Sequence, residues 1–133
     1  LAHATGLYDD LTVADNVAFW AQAAGADPSD VAAALARLGL DGRLRDVPVS
    51  LLSAGQRRRT SLAVLLARRP ELWLLDEPHA GLDAAGRDLV DGLIRDAAAA
   101  GATVLLSSHE LDRAAAVADR QVEVVGGQVR DVA

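Results

Sequence analysis

The sequence contains no cysteine, no lysine and no methionine, and only 3% of its 133 residues are aromatic. Without cysteine the chain forms neither disulfides nor thiolate metal sites, which fits a reducing compartment. The 13 basic residues are all arginine, and the formal charge of −6 argues against non-specific nucleic-acid binding, which needs clustered cations. No apolar run reaches the roughly eighteen residues that cross a bilayer, so any membrane association would depend on a partner.

What the chain has in abundance is small and aliphatic apolar residues, which make up 51% of it with alanine as a large part. A length of 133 residues suffices for one domain with a real core. That core must be built from leucine, valine and alanine on helices and strands of ordinary length.

Two adjacent carboxylates, Asp76 and Glu77, end an apolar run at residues 72–75. The run predicts a parallel strand buried on both faces, and open α/β sheets bind ligands at the carboxyl ends of such strands. Buried carboxylates need a metal, a cation or hydrogen bonds. The pattern therefore favours Asp76 as a ligand of Mg²⁺ on a nucleotide and Glu77 as the group that polarises an attacking water. A solvated turn after an ordinary core strand is the alternative.

Three further segments accompany this strand in a fixed order: residues 52–56, 80–83 and 107–109. Together with residues 72–78 they resemble the ATP-binding domain of ABC transporters. Residues 52–56 match the family signature, with Ala54 where glycine is usual. Residues 72–78 match the Walker B motif and catalytic glutamate, residues 80–83 match the D-loop, and His109 matches the switch histidine.

The resemblance implies an α/β fold, with a P-loop NTPase-like parallel sheet, helices and an all-helical signature subdomain. It implies ATP and Mg²⁺ as ligands and hydrolysis of ATP at a dimer interface. In the family the signature binds the γ-phosphate of ATP held by the opposite subunit. The implied site comprises Glu77 and His109 in catalysis, Asp76 at the metal, and, at the nucleotide, Ser53, Ala54, Gly55, Gln56, Asp83 and His3.

His3 stands where most family members have the Q-loop glutamine, and a frayed terminal residue is its alternative interpretation. A P-loop needs a glycine-rich backbone and a lysine, and the sequence has neither. We therefore expect an amino-terminally truncated part of a larger domain. Residues 1–70 would hold the Q-loop remnant and the helical signature subdomain, and residues 71–133 the carboxy-terminal half of the ATPase core. Alone, these residues would bind Mg-ATP no better than millimolar and hydrolyse none.

The local patterns predict helices after the capping residues Thr12, Asp27, Ser53 and Asp83, a loop over residues 40–52, and a second buried strand at residues 103–106. Residues 121–125 and 128–132 predict a terminal hairpin around Gly126-Gly127. Asp83 has capping as a structural alternative to its D-loop role. His79 is predicted to lie on a surface loop, and the cluster Arg57, Arg58 and Arg59 to be a solvated face that pairs with acidic neighbours.

One subgroup looks closer than the rest. His3, the alanine-bearing signature and residues 72–78 resemble the ATPase subunit of the cytochrome c maturation haem exporter. This resemblance implies a second ATP-binding subunit and an integral-membrane permease as partners, and a cytoplasmic location on the inner face of the cell membrane. The alternatives are a drug or polysaccharide exporter subunit, a soluble ABC-type ATPase acting on nucleic acid or ribosomes, and a chain without activity of its own.

Overall fold

The computed structural model describes residues 6–132 of the chain, so His3 lies outside the described residues. Within that range the chain forms five α-helices, two two-stranded sheets and two short 3₁₀ helices at Arg43–Asp46 and Val49–Leu51. The elements in chain order are α1 Val13–Ala23, α2 Pro28–Arg37, α3 Ala54–Arg68, β1 Leu72–Asp76, α4 Ala84–Ala99, β2 Thr103–Ser107, α5 Leu111–Ala115, β3 Val122–Val125 and β4 Gln128–Asp131.

The four predicted capping residues each begin a helix. The side chains of Thr12, Asp27, Ser53 and Asp83 all accept a backbone N–H from the first turn that follows them. At α1 the Thr12 hydroxyl also donates to Oδ2 of Asp15, at 2.7 Å. These side chains satisfy amides that a helix start leaves without an intrahelical partner, and the predicted helix starts are confirmed.

The segment between α2 and α3 contains more regular structure than the predicted loop. Its two 3₁₀ helices run beside the start of α1, where Val13 N–H donates to the Val47 carbonyl and Val49 N–H donates to the Leu11 carbonyl, both at 3.0 Å. These bonds attach the approach to the signature segment to the first helix.

β1 and β2 pair in parallel, with Leu72 opposite Thr103 and Asp76 opposite Ser107, and α4 connects them. Trp73 and Leu75 are buried, but Leu72 is 53% exposed. The prediction that β1 is buried on both faces is therefore wrong, and β2 likewise is only half-buried. The physical reason is that, within residues 6–132, no element packs over the face of the sheet that carries Leu72, Leu74 and Leu105.

The hairpin of β3 and β4 is confirmed, with Val125 opposite Gln128 across the predicted glycine turn. Both turn glycines have positive φ, which glycine adopts without steric cost. The combination of a parallel sheet with helices confirms the α/β class. Every helix in the described part of the chain is too short or too polar to cross a membrane.

The hydrophobic core is one cluster that takes residues from α1, α2 and α3 and continues into β1 and α4. Leu35 and Leu62 represent the helical part of it, and Trp73, Val90 and Leu93 the part around the sheet. The division of the chain into residues 1–70 and 71–133 stays a prediction.

A buried asparagine fixes the chain that enters α1. Asn16 is 0% exposed, and its Oδ1 accepts the Tyr8 N–H at 2.8 Å. Its Nδ2 donates to the carbonyls of Tyr8 and Thr12 at 3.0 Å each, and to that of Leu11 at 3.3 Å. One side chain thus pairs the Tyr8 N–H and adds a donor near three carbonyls that also accept backbone N–H groups.

Asn16→Ala should therefore lower the free energy of unfolding by about 1–3 kcal/mol, because it leaves the Tyr8 N–H without the side-chain oxygen that accepts it. Gln22→Ala, at an exposed position of the same helix, is the matched control and should change it by less than about 0.5 kcal/mol. Urea unfolding followed by circular dichroism measures both variants. Equal stability of the two would show that Asn16 does not hold this segment.

Candidate functional site

The carboxyl end of the parallel sheet brings together three of the predicted site residues. Asp76 ends β1, and its Oδ1 accepts a hydrogen bond from the Ser107 hydroxyl at the end of β2, at 2.6 Å. Glu77 follows directly, and its Oε1 lies 3.6 Å from Nε2 of His109. The His109 side chain is 98% exposed, so the imidazole faces solvent above the carboxylates. The arrangement places two acids and one imidazole at the sheet edge where the sequence predicts them.

Glu77 adopts a backbone conformation that few non-glycine residues take, with φ of 44°. Three hydrogen bonds hold it there. Its N–H donates to the Ser107 carbonyl at 3.0 Å, and its own carbonyl accepts from Ala80 N–H at 3.1 Å and from Arg58 Nη2 at 2.7 Å. Such conformations persist where the surroundings over-determine them, and they cluster at functional sites.

Arg58 reaches this backbone from α3, and the prediction that it is solvated is wrong. It is 7% exposed, and its Nη2 donates to the carbonyls of both Asp76, at 3.1 Å, and Glu77. Burial lowers the pKa of the Arg58 guanidinium from its usual value, and the charge of Asp76 opposes that shift. The sequence signal for this burial is helical spacing, because Arg58 shares a face of α3 with the buried Leu62.

Its neighbour Arg57 is half-buried, donates to the Val49 carbonyl at 3.2 Å and pairs with Asp9. This cation therefore holds the turn before the signature segment against the chain that enters α1. Arg57 fits the predicted pairing of the arginine cluster with acidic neighbours.

The signature segment starts α3 with a complete capping box. Gln56 N–H donates to the Ser53 hydroxyl at 3.2 Å, and Ser53 N–H donates to Oε1 of Gln56 at 2.9 Å. A β-carbon added at Gly55 would meet nothing nearer than the Gly81 carbonyl, at 3.9 Å. A β-carbon at Gly55 would thus fit without a clash, in van der Waals contact with the Gly81 carbonyl and beside the first-turn amides of Ala54 and Gly55 that point out of a helix start.

The D-loop residue Asp83 caps α4, which is the structural role predicted for it from the sequence. Its Oδ1 accepts Gly86 N–H at 2.8 Å, which caps α4. Its contact with a nucleotide or a second subunit stays a prediction.

His79, predicted on the surface, is 1% exposed and lies under the site. Its Nε2 is 2.8 Å from Oδ1 of Asp91 on α4. The prediction is wrong because the loop after Pro78 turns inward onto α4, and no periodic pattern in the sequence marks a single inward loop residue. The sequence gives no signal for the partner carboxylate either, since Asp91 is a single acidic residue on the apolar side of α4 beside Val90 and Ile94.

The side chains at the sheet edge fit Mg²⁺ only if phosphates of a bound nucleotide complete its coordination. Among residues 6–132 no group of three or more metal-ligating side chains lies together. Asp76 offers one exposed carboxylate, and Mg²⁺ in nucleotide sites takes one or two carboxylates together with substrate phosphates and water. Asp76 is thus suited to hold the ion from one side.

Known proteins match this chain over most of its length. It is 46% identical over 109 residues to the cytochrome c biogenesis ATP-binding export protein CcmA of Bradyrhizobium diazoefficiens, which covers 82% of this chain and 54% of that protein. CcmA of Nitrosomonas europaea is 41% identical over 83% of this chain and 52% of its own length. A cobalt import ATP-binding protein, CbiO of Rhodobacter capsulatus, is 49% identical over 65% of this chain and 31% of its own length. The chain spans about half the length of the CcmA relatives it matches.

The fold has a solved counterpart in the dimeric structure of a post-hydrolysis state of the ATP-binding cassette MJ0796 bound to ADP and Pi. The TM-score is 0.83 at 23% identity, covering 98% of this chain and 60% of that one. This likeness confirms the predicted P-loop NTPase-like fold. The family model described as ABC transporter matches residues 1–80. The chain belongs to the ABC transporter family.

Proposed function

We propose that this chain is part of the ATP-hydrolysing subunit of an ABC transporter, working at a dimer interface to drive haem export for cytochrome c biogenesis. The observation that carries the proposal is the placement of Asp76, Glu77 and His109 at one edge of the sheet, with His109 3.6 Å from Glu77. A carboxylate that holds Mg²⁺ and a second group that accepts the proton of the attacking water are parts of a site that hydrolyses a γ-phosphate.

Each residue has a role that its position supports. Mg²⁺, held by Asp76 directly or through water, would neutralise phosphate charge. Glu77 orients the attacking water and receives its proton as the water oxygen bonds to the γ-phosphorus and the bond to the bridging oxygen breaks. The exposed imidazole of His109 reaches the γ-phosphate, and the strained backbone of Glu77 holds its carboxylate at the sheet edge.

The second half of the site would come from the partner subunit. The amino terminus of α3, at residues 53–56, presents helix-start amides and a glycine, Gly55, that lets another group approach its backbone closely. Helix amino termini bind phosphates through such amides and the helix dipole. We propose that this end contacts the γ-phosphate of ATP held by the other subunit, with Asp83 contributing across the same interface. His3 would act from the Q-loop position.

The haem exporter assignment is supported by the CcmA relatives, at 46% and 41% identity over most of this chain. The CbiO match favours a metal importer as the second candidate, since its identity is 49% over a shorter stretch. Co-purification of the full-length protein with its membrane partners, followed by haem- and cobalt-dependent ATPase assays, separates the two. Stimulation by cobalt and not by haem would overturn the first assignment.

The permease contact is proposed at an aromatic surface formed by Tyr8, Phe19 and Trp20. Tyr8 and Trp20 stack with ring centroids 5.9 Å apart, while Phe19 meets each of them edge-on. Tyr8 is 47% and Phe19 46% exposed, in a chain with only 3% aromatic residues. Exposed aromatic clusters are typical of protein interfaces. Through this contact the subunit would sit at the inner face of the cell membrane.

Glu77→Gln in the full-length protein should keep ATP binding and lose turnover by about a hundredfold or more, because the amide cannot accept the proton from water. Glu71→Gln, at the exposed position before β1, is the matched control and should turn over at the parental rate. Phosphate release and nucleotide binding are measured on the same preparations. Parental turnover in Glu77→Gln would remove Glu77 from the mechanism.

Gly55→Asp should abolish turnover while a monomer still binds nucleotide, because it places bulk and negative charge at the helix start where the partner's phosphate would sit. Ser53→Arg should do the same but also loses the cap, at a cost of about 1 kcal/mol. Gly42→Asp, at an exposed glycine with no crowding, is the control. The parent should show a quadratic dependence on concentration when dilute.

Mixing the inactive Gly55→Asp and Glu77→Gln proteins then separates a shared site from a self-contained one. In a shared site each mixed dimer regains one intact site, so an equal mixture should reach about a quarter of the parental rate. No recovery on mixing, together with a linear dependence on concentration down to nanomolar protein, would contradict the two-subunit site.

A further inference from the structure

Beneath the proposed active site, three charged or titratable side chains from different elements form a connected cluster. His79 lies in the loop after Glu77, Asp91 on α4 and Arg113 on α5. His79 Nε2 is 2.8 Å from Oδ1 of Asp91, and Oδ2 of the same carboxylate accepts a hydrogen bond from Arg113 Nη1. We call these three residues the His79 cluster.

The geometry indicates the proton arrangement of the histidine. Nε2 faces the Asp91 carboxylate, which accepts, so Nε2 carries the proton. Nδ1 is buried and, among the described residues, has no hydrogen-bond partner. A second proton there would be an unsatisfied buried donor, so the neutral Nε2–H tautomer fits the surroundings.

Arg113 joins this buried pair to the surface charges around α5. Its Nη1 also lies 3.1 Å from Oδ1 of Asp88, and its Nε lies 3.9 Å from Oε2 of Glu110. The hydrogen bond to Asp88, with the charge of Asp91, raises the pKa of Arg113 above its usual value. Glu110 in turn pairs with Arg87 at 3.1 Å. Arginines and carboxylates thus alternate along this chain of ion pairs, and Asp88 and Asp91 attach it to α4.

Apart from these ion pairs, the segment that carries His109 is held by few side-chain contacts: the Ser108 hydroxyl accepts the Glu110 N–H at 3.0 Å, and Arg95 Nη2 donates to the Ala116 carbonyl at 3.5 Å. The His109 side chain is 98% exposed and gains almost nothing from packing. Helix α5, which follows it, spans only Leu111–Ala115, and within the described chain no side-chain hydrogen bond caps its start and none of its residues is buried. A helix this short is unstable without tertiary contacts. Its position therefore depends on its ion pairs, of which Arg113–Asp91 is the most buried.

We propose that the His79 cluster is a positioning device for hydrolysis, which sets the distance between His109 and Glu77 by fixing α5 and the loop after Glu77 to the same carboxylate of α4. The inference rests on the proposed ATPase function. His79 stands just beyond Glu77 and Arg113 just beyond His109, so Asp91 holds both catalytic segments at once. An apolar pair would suffice for stability alone, since buried ion pairs add little to it.

The test uses the full-length protein and the variants Asp91→Asn and Arg113→Gln. Each should lower kcat about ten- to a hundredfold and leave the KM for ATP within about twofold, because misplaced catalytic groups slow chemistry more than binding. Arg113→Lys should retain part of the rate. Asp96→Asn is the matched control, because Asp96 lies on the same helix in an exposed pair with Arg37 at 2.9 Å.

A double-mutant cycle with His109→Ala distinguishes positioning from general destabilisation. If the cluster acts by positioning, Asp91→Asn should cause a clearly smaller loss in a His109→Ala background than in the parent, since one of the two positioned groups is gone and only the Glu77 segment is left to misplace. An undiminished loss in that background would overturn the proposal. So would a kcat in Asp91→Asn equal to that of Asp96→Asn.

A second measurement does not depend on turnover. Amide hydrogen exchange of the nucleotide-free protein should become at least about tenfold faster at residues 111–116 in Asp91→Asn, while β1 keeps its parental protection. Unchanged exchange in this segment would overturn the positioning role. A parental protein that lacks ATPase activity would instead refute the proposed function, and the exchange data would still decide whether the cluster holds α5.

Discussion

Two hydrogen bonds from one buried arginine connect the catalytic loop of this chain to the helix whose amino terminus would serve the site of the partner subunit. Arg58, on the signature helix, donates to the carbonyls of Asp76 and Glu77 at the end of β1. A buried cation is costly unless it is fully engaged, so the helix and the strand end cannot separate without stranding this charge. Within a single chain, the position of the signature helix and the conformation of the catalytic loop therefore cannot change independently.

Helix α4 holds the loop that follows Glu77. The strained backbone of Glu77 is fixed above by Ser107 and Arg58, and the loop that follows it is fixed below through His79 and Asp91. Between them His109 stays exposed, within reach of a ligand. The site therefore combines rigid acids with an accessible imidazole, an arrangement suited to a substrate that arrives with a second subunit.

Capping and turn patterns in the sequence predicted most of the helices and strands. The wrong predictions concern residues whose burial depends on tertiary contacts. Thr12, Asp27, Ser53 and Asp83 begin helices because their side chains satisfy nearby amides, which is readable from sequence. The burial of Arg58 depends on a carbonyl pair distant in the chain, and that of His79 on a loop turning inward. The open face of β1 depends on which elements pack over the sheet, and an apolar run alone does not specify them.

The most direct test of this account is phosphate release by Arg58→Met in the full-length protein, compared with Arg68→Met at an exposed position of the same helix. Methionine keeps most of the side-chain volume but removes the donors to Asp76 and Glu77. The account predicts a loss of turnover of about tenfold or more for Arg58→Met with nucleotide binding retained, and parental turnover for Arg68→Met. Equal turnover in the two variants would contradict the claim that Arg58 sets the geometry of the site.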